Sequence, residues 1–356
     1  MRFSSIFKII ILNIFISKMA HAAVCEERYP ADSEECQYVQ ELEQKAEQGD
    51  VSAQFSLGSW YAEGRYVKPD YKLAIKWLEK AGKQGSDFSY FILGYHYNYG
   101  ENFPLSRQKA LEWYRKAAEL GDSSTQEILG DAYMYGDGFP QNTQLALEWY
   151  RRAAAQGLAE AQDAIGVMFM QGEGVSQDYQ QALAWYRKAA RQGLPAAQTH
   201  LGIMSAFGRG VAQSDRQAIA WYRKAAKQDF AKAQYQLGVA YSTGRGVPEN
   251  SRNALKWYLK AAEQGFTPAQ SALGEIYAHG RQGVPKDNKQ AYIWYYMASM
   301  YTEKSKDDCS ALIAERNRLK GTLTPDQLSE TYAAFNLIWR KIDQSKEAKK
   351  IARKKY

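Results

Sequence analysis

The side chains best suited to chemistry are few in this sequence, and they do not form a catalytic pattern. Ser106-Arg107-Gln108-Lys109 matches the short Ser-x-x-Lys motif of penicillin-binding enzymes, but Ser106 also stands where a helix is expected to begin. Three histidines occur beyond the first 22 residues, and no two of them have the spacing of a zinc-binding pair. They are His96, His200 and His279. These residues predict no enzymatic activity, no metal site and no cofactor.

The N-terminus has the pattern of a secretory signal peptide. Arg2 and Lys8 provide positive charge, residues 9–16 are mostly apolar, and Ala20-His21-Ala22 is a small-residue cleavage site. The apolar run is much shorter than the ~20 residues that a membrane-spanning helix needs. We therefore expect cleavage near Ala22 and a periplasmic or secreted mature chain.

Three cysteines occur in the whole chain, at positions 25, 36 and 309. Export would place them in an oxidising compartment, where disulfides form readily. A Cys25–Cys36 bridge would close a short loop and stabilise the fold by about 2 to 3 kcal/mol. Cys309 would then be left over, either buried or available for an intermolecular link.

A unit of about 36 residues recurs seven times between residues 50 and 301, and we number these units repeats 1 to 7. A fixed period of this length is the signature of a stacked repeat. The Gly of a Leu-Gly or Ile-Gly pair recurs at Gly58, Gly94, Gly130, Gly166, Gly202, Gly238 and Gly274. A tryptophan recurs at Trp77, Trp113, Trp149, Trp185, Trp221, Trp257 and, one residue late, Trp294.

Each unit carries the signals for a helix, a glycine-containing loop and a second helix. A loop glycine falls where the first helix must stop, as in a left-handed C-terminal cap. A Ser, Asp or Asn then stands where its side-chain oxygen can accept a hydrogen bond from the start of the second helix. The glycines are Gly64, Gly100, Gly136, Gly172, Gly208, Gly244 and Gly280, and the capping residues are Asp70, Ser106, Asn142, Asp178, Ser214, Asn250 and Asp287.

Small residues inside the helices predict a close helix crossing. Glycine in a helix interior costs about 1 kcal/mol relative to alanine. Its return at the Gly58 position in every repeat predicts that a neighbouring helix comes too close for a Cβ atom. Alanines at the Ala74 position offer a matching small surface. The recurring Trp, and the Tyr that usually follows it, are predicted to fill the core between layers.

The combined pattern resembles a known family. Ala-x3-Leu-Gly-x2-Tyr-x2-Gly-x-Gly-Val, followed by Ala-x2-Trp-Tyr-x2-Ala-Ala-x2-Gly, is similar to the Sel-1-like repeats, relatives of the tetratricopeptide repeats. The resemblance covers residues 37–301. It implies an all-α, right-handed α-solenoid of seven helix-turn-helix repeats that binds other proteins. Three departures are Ser205 for the Tyr, Asp229 for the turn Gly, and one extra residue within 281–283, which should deform the last loop.

The repeats lie between capping segments. Residues 37–49 resemble the second half of a repeat, and the sequence 324–327 reads as a capping box that begins a C-terminal helix with one apolar face. A cap is expected at each end because a terminal repeat otherwise exposes an apolar face. The predicted divisions are 1–22 signal peptide, 23–49 N-terminal cap, 50–301 repeats, 302–343 C-terminal capping helices and 344–356 basic tail.

The charge distribution argues against nucleic-acid binding. The formal net charge is +7, but residues 1–22 contribute three positive charges and residues 341–356 a net +5. Residues 23–340 are therefore close to −1, and the high pI comes from the two ends rather than from a basic binding surface.

We expect the binding surface on the first helices, which tetratricopeptide-like stacks place on their concave face. The repeat pattern leaves the positions of Phe55, Ser59, Ala62 and Glu63 free, and Tyr and Phe are frequent at protein-binding hot spots. Large side chains at these positions are therefore candidates for partner contact. The predicted partner-binding residues are Phe91, Tyr95, Tyr99, Met134, Tyr135, Met170, Phe207 and Tyr235. The alternative is that several of them pack against the next repeat's first helix.

The function expected from these observations is an exported, non-enzymatic scaffold for a protein partner. The resemblance leaves two narrower alternatives: a periplasmic immunity protein that neutralises a toxin effector such as a phospholipase, and a secreted virulence factor that binds a host protein. An enzyme of peptidoglycan or β-lactam chemistry is the competing class. Family members linked to penicillin binding carry paired cysteines in every repeat, and this chain has none in its repeats.

Overall fold

The computed structural model describes residues 33–100, 102–281, 283–302 and 310–353. Within these residues the chain forms 17 helices and no β-strand. Consecutive helices pack as pairs: in repeats 1 to 3 and 5 to 7 the first helix packs most extensively against the second helix of its own repeat. The predicted all-α repeat fold, of the α-solenoid class, is confirmed.

The chain divides into two compact units, of which the first is residues 1–177. A single helix, α1, precedes the repeats and packs against the first helix of repeat 1. First and second helices of the repeats then alternate up to the first helix of repeat 4. The helices are α1 Glu34–Glu47, α2 Val51–Glu63, α3 Tyr71–Lys83, α4 Asp87–Tyr99, α5 Arg107–Leu120, α6 Ser123–Tyr135, α7 Thr143–Ala155 and α8 Ala159–Gln171.

The second unit, residues 178–356, continues the alternation and ends in two further helices. The last repeat helix, α15, packs against both of them. The helices are α9 Tyr179–Arg191, α10 Pro195–Phe207, α11 Asp215–Ala226, α12 Ala231–Thr243, α13 Ser251–Ala262, α14 Thr267–His279, α15 Asn288–Thr302, α16 Ser310–Lys320 and α17 Pro325–Arg353.

The predicted helix boundaries are present in all seven repeats. Every predicted capping residue accepts a hydrogen bond from a backbone N–H in the first turn of the second helix; Asn142, for example, accepts from Leu145 at 3.0 Å. Every loop glycine has a positive φ, between 65° and 78°. Tyr66 and Asp229, which replace glycines of the pattern, are forced into the same left-handed region, with φ of 62° and 56°.

The recurring helix glycine lies under a side chain of the second helix in the same repeat. A Cβ atom built on Gly238 would lie 2.6 Å from the Tyr258 ring, and one on Gly58 would lie 2.6 Å from Leu78. The sequence correctly predicts the close approach. The neighbour that fills the space is chiefly the tyrosine ring rather than the small alanine surface.

The recurring tryptophans are less buried than predicted. Trp77 and Trp149 are buried, but the equivalent Trp113, Trp185 and Trp221 are only partly so. A basic side chain one turn further along the helix covers the ring in each case. Such pairs add cation–π attraction. The pairs are Lys80–Trp77, Lys116–Trp113, Arg152–Trp149, Lys188–Trp185, Lys224–Trp221 and Lys260–Trp257.

A buried glutamine links successive repeats, a feature that the sequence analysis missed. Gln126 donates to the carbonyl oxygen of Ala118 at 3.0 Å, in the last turn of the preceding second helix. Its own Oε1 accepts from Gln156 at 3.0 Å. Such bonds satisfy helix C-terminal carbonyl groups that would otherwise lack partners. The signal in the sequence is a glutamine at this position in six of the seven repeats: Gln54, Gln126, Gln162, Gln198, Gln234 and Gln270.

The C-terminal helices follow the sequence prediction except at their end. Thr324 and Gln327 form the predicted capping box, with backbone-to-side-chain bonds of 3.0 and 3.3 Å. Phe335 and Ile342 are buried on the face that packs against α15. The helix then continues to Arg353, into the segment 344–356 that was predicted to be a tail.

Of the three cysteines in the disulfide prediction, the structure describes Cys36 alone. Cys36 is buried and disulfide-bonded, and its partner lies outside the described residues, as do Cys25 and Cys309. We expect a non-reducing digest of the exported chain to yield a Cys25–Cys36 cross-linked peptide with a deficit of two hydrogens. Cys309 should be alkylated only after denaturation. Free thiols at Cys25 and Cys36, or a Cys36–Cys309 peptide, would contradict this prediction.

Candidate partner-binding surface

A continuous run of aromatic side chains crosses the first helices of repeats 1 and 2. The ring centroids are 5.6 Å apart for Phe55 and Phe88, 5.6 Å for Phe88 and Phe91, 6.5 Å for Phe91 and Tyr95, and 4.6 Å for Tyr95 and Tyr99. The four rings on α4 lie three or four residues apart and so share one helical face. We call these five residues the aromatic ridge.

The exposure of the ridge varies along its length, and Phe55 at one end is half-buried. Phe88 is 53% exposed and Tyr99 is 46% exposed. Phe91 and Tyr95 are half-buried, and Phe91 also contacts Tyr114 on the second helix, with centroids 5.8 Å apart. The sequence prediction included Phe91, Tyr95 and Tyr99 but missed Phe88, because its position is polar or small in most other repeats.

In repeat 3 the two predicted contact residues differ in exposure. Tyr135 is 76% exposed, whereas Met134 is only 5% exposed. Successive residues of an α-helix point about 100° apart, so these neighbours cannot share a face. The equivalent Ala62 and Ala206 are buried as well. The prediction that Met134 is a partner-contact residue is therefore wrong, because its side chain is buried.

Met170, the predicted contact in repeat 4, is half-buried at the same helical position as Met134. Its backbone carbonyl oxygen accepts a hydrogen bond from Gln177 at 2.9 Å, at the end of α8. Met170 therefore presents less side-chain surface than Tyr135 does.

The two predicted contact residues of the second unit have different surroundings. Phe207 is 58% exposed, and its ring lies 5.4 Å from the guanidinium carbon of Arg209. Tyr235 is half-buried between Tyr258 and Phe266, with ring centroids 5.7 and 5.5 Å away. Burial raises the pKa of the Tyr235 hydroxyl. Phe207 thus has free surface, whereas Tyr235 packs mainly within the repeats.

Carboxylates continue the first-helix surface beyond the ridge. Glu127 and Asp131 of α6 occupy the positions that Phe91 and Tyr95 hold in α4. The Tyr150 hydroxyl donates to Asp131 Oδ1 at 2.6 Å. Burial, with smaller effects from Asp131 and Glu160, raises the pKa of Glu127 to about 7. Burial also raises the pKa of Asp131, against the opposing effects of the Tyr150 hydrogen bond and Arg107.

Arg107, whose charge opposes the rise in the pKa of Asp131, already has two partners. Its Nη1 donates to Asn98 Oδ1 at 2.7 Å, and its Nη2 lies 2.8 Å from Asp137 Oδ2. The bond to Asn98 lies within repeat 2, whereas the ion pair with Asp137 joins repeats 2 and 3. The guanidinium is thus held by Asp137 rather than by Glu127 or Asp131.

His96 and Ser106, two of the residues considered for chemistry, have structural contacts. His96 is buried and stacks on Phe103, with ring centroids 5.0 Å apart, whereas His279 is exposed. Ser106 accepts from the Lys109 backbone as the predicted helix cap. In the part of the chain that the structure describes, no three His, Cys, Asp or Glu side chains are placed to hold a metal ion. Across the same residues, no helix combines the length and apolarity of a membrane span.

Seven consecutive segments match the model of the Sel1 repeat, and the chain therefore belongs to the Sel1 repeat family. The segments are 51–86, 88–122, 123–158, 159–194, 195–230, 231–266 and 267–300. The predicted family and the number of repeats are confirmed.

Solved structures similar to this chain come from several bacteria. A Sel1 repeat protein from Oxalobacter formigenes is 34% identical over 77% of this chain and 79% of that chain, with a TM-score of 0.64. A protective antigen present in uropathogenic Escherichia coli strains is 27% identical over 86% and 88%, with a TM-score of 0.44. An immunity protein from Pseudomonas aeruginosa is 24% identical over 54% and 74%, with a TM-score of 0.43. No curated protein matches the chain.

Proposed function

We propose that this protein is an exported, non-enzymatic scaffold that binds a protein partner through its first-helix surface, the face expected to be concave. The observation that carries the proposal is the aromatic ridge, in which Phe88 and Tyr99 are exposed. The exposed Tyr135 holds the position of Tyr99 in the next repeat. Contiguous exposed apolar surface marks interaction sites in soluble proteins, and Tyr is enriched at their hot spots. Export rests on the signal-peptide pattern of residues 1–22.

Two narrower functions fit this scaffold and make different predictions. A periplasmic immunity protein would bind a toxin effector such as a phospholipase, and its gene would neighbour that of the toxin. A secreted virulence factor would be detected on the cell surface or in the medium and would bind a host protein. An enzyme of β-lactam chemistry would instead be labelled covalently at Ser106 by a penicillin-type probe.

Replacing both Tyr95 and Tyr99 by Ala should weaken partner binding by ~2 kcal/mol or more, because hot-spot aromatics contribute on this scale. The partner would be captured from an envelope extract with the mature chain as bait and identified by mass spectrometry. The affinity of this partner for the wild-type chain and for the Tyr95/Tyr99 variant would then be measured by calorimetry. The melting temperature should change by only a few degrees, since Tyr99 is 46% exposed and Tyr95 is only half-buried.

The matched control is Val167→Ala with Gln171→Ala, at the same two helical positions in repeat 4. This pair lies on α8, away from the ridge, and should leave the affinity unchanged. An equal loss in both variants would indicate a diffuse surface instead of a ridge. A large fall in melting temperature with unchanged affinity would assign the tyrosines to packing.

A further inference from the structure

Charge is segregated between the two sets of helices in the first unit. Its four first helices contain six Asp or Glu residues and no Lys or Arg. Its three second helices contain ten Lys or Arg residues and four Glu residues. The near-neutral total for residues 23–340 hides this separation. Opposite sides of the same helix pairs thus carry opposite charge.

The repeat pattern does not require Asp or Glu residues on the first helices. The first helices of repeats 5 to 7, in the second unit, contain one Lys and one Glu between them. The acidic residues of the first unit are therefore a property of those particular repeats. They occur in the same unit as the aromatic ridge.

The two features are adjacent because equivalent positions of successive first helices lie side by side. Phe55 and Phe88 show that neighbouring first helices touch. Glu127 and Asp131 hold the positions of Phe91 and Tyr95 one repeat further on, and Tyr135 holds that of Tyr99. Aromatic faces and carboxylates therefore form one surface.

This arrangement is electrostatically unfavourable in the free protein. Asp131 and Glu160 lie close enough to Glu127 to raise its pKa. Across the described residues Glu127 has no hydrogen bond or ion pair, and the neighbouring Arg107 is held by Asp137. A cation brought to this surface would relieve the repulsion. Aromatic rings attract the same cations through their faces.

We propose that the partner docks an arginine-rich segment on this surface, with guanidinium groups paired to Glu127 and Glu160 and stacked on Tyr99 and Tyr135. The inference rests on the proposed scaffold function and specifies the chemistry of its partner. Arginine fits better than lysine, because its planar guanidinium pairs bidentately with carboxylates and stacks on rings. The basic second helices would repel the same segment and so direct it to the first-helix surface.

The test uses a capped hexa-arginine peptide titrated into the mature full-length chain, with hexa-lysine and hexa-glutamate peptides for comparison. Hexa-arginine should bind most tightly, hexa-glutamate should not bind, and affinity should fall as salt rises. Glu127→Gln combined with Glu160→Gln should weaken hexa-arginine binding by about tenfold or more, because it removes two attractive charges. The matched control is Glu112→Gln with Glu148→Gln, two exposed side chains on second helices of the same unit.

The control pair makes the same change in net charge and should alter affinity by less than about twofold. Equal weakening by the Glu127/Glu160 and Glu112/Glu148 variants would mean that the peptide is attracted by the total charge, and this would overturn the proposal. Binding of hexa-glutamate, or failure of hexa-arginine to bind, would also overturn it. If the Tyr95/Tyr99 variant loses the captured partner while the Glu127/Glu160 variant keeps it, the scaffold function stands and the cationic partner is rejected.

Discussion

Replacing Gly238 by Leu should lower the free energy of unfolding by about 3 kcal/mol or more, since overpacking a well-packed contact usually costs 1 to 3 kcal/mol and Leu adds four carbons. A Cβ atom at this position already falls 2.6 Å from the Tyr258 ring. That ring cannot move aside easily, because it is buried and its hydroxyl lies 3.1 Å from Ser242 Oγ. Thermal and urea denaturation followed by circular dichroism would measure the loss.

Gly321→Leu is the control for this substitution in the same unit. A Cβ atom there would lie 3.5 Å from its nearest neighbour, the Arg318 carbonyl oxygen, and the residue is exposed. Its cost should stay below about 1 kcal/mol, as for ordinary surface substitutions. Combining Gly238→Ala with Tyr258→Leu should cost less than the sum of the two single changes. A Gly238→Leu protein that melts like the wild type would show that the glycine position is not a close contact.

Glu127→Gln should have the opposite effect and stabilise the free protein by about 1 to 3 kcal/mol at pH 8. The carboxylate is partly buried, and this burial, with smaller effects from Asp131 and Glu160, raises its pKa to about 7. Glutamine keeps the shape and removes the charge. Chemical denaturation at a series of pH values would measure the difference between the two proteins.

The direction of the pH dependence follows from the raised pKa. Above pH 7 the folded protein holds a charged Glu127 in an unfavourable place, whereas the unfolded chain ionises already near pH 4.5. As pH falls from 7 to 4.5 the folded state takes up the proton and the penalty disappears. The advantage of the Gln variant should therefore shrink across this window and vanish near pH 4. A gain of equal size at pH 8 and pH 4 would contradict this explanation.

Glu112→Gln removes the same charge from an exposed position on α5 and should give no comparable gain. Glu127→Gln is expected to raise the stability of the free protein and to weaken its binding of a cationic segment. These two effects together would assign Glu127 a binding role rather than a structural one. If Glu127 were retained for packing, its replacement would lower the stability of the protein. Surfaces kept for binding commonly lower the stability of the free protein.

The sequence alone determines the repeat framework, because its signals are local and occur seven times. The N-cap of each second helix, illustrated by Asn142, and the left-handed glycine that ends each first helix depend only on neighbouring backbone groups. The close contact at Gly238 was also predictable, since only a tertiary contact explains glycine at a fixed position inside a helix. Family membership follows from the same repeated positions.

The tertiary structure decided which side chains the surface presents. Tyr135 and Met134 differ by one residue and by about 100° around the helix, so a small error in the predicted face reverses their exposure. Burial raises the pKa of Glu127, with smaller effects from Asp131 of the same repeat and Glu160 of the next, and both the burial and the distance between the repeats depend on the tertiary structure. Local hydrogen bonds fix the helices, whereas exposure and charge interactions depend on how helices from different repeats are rotated against one another.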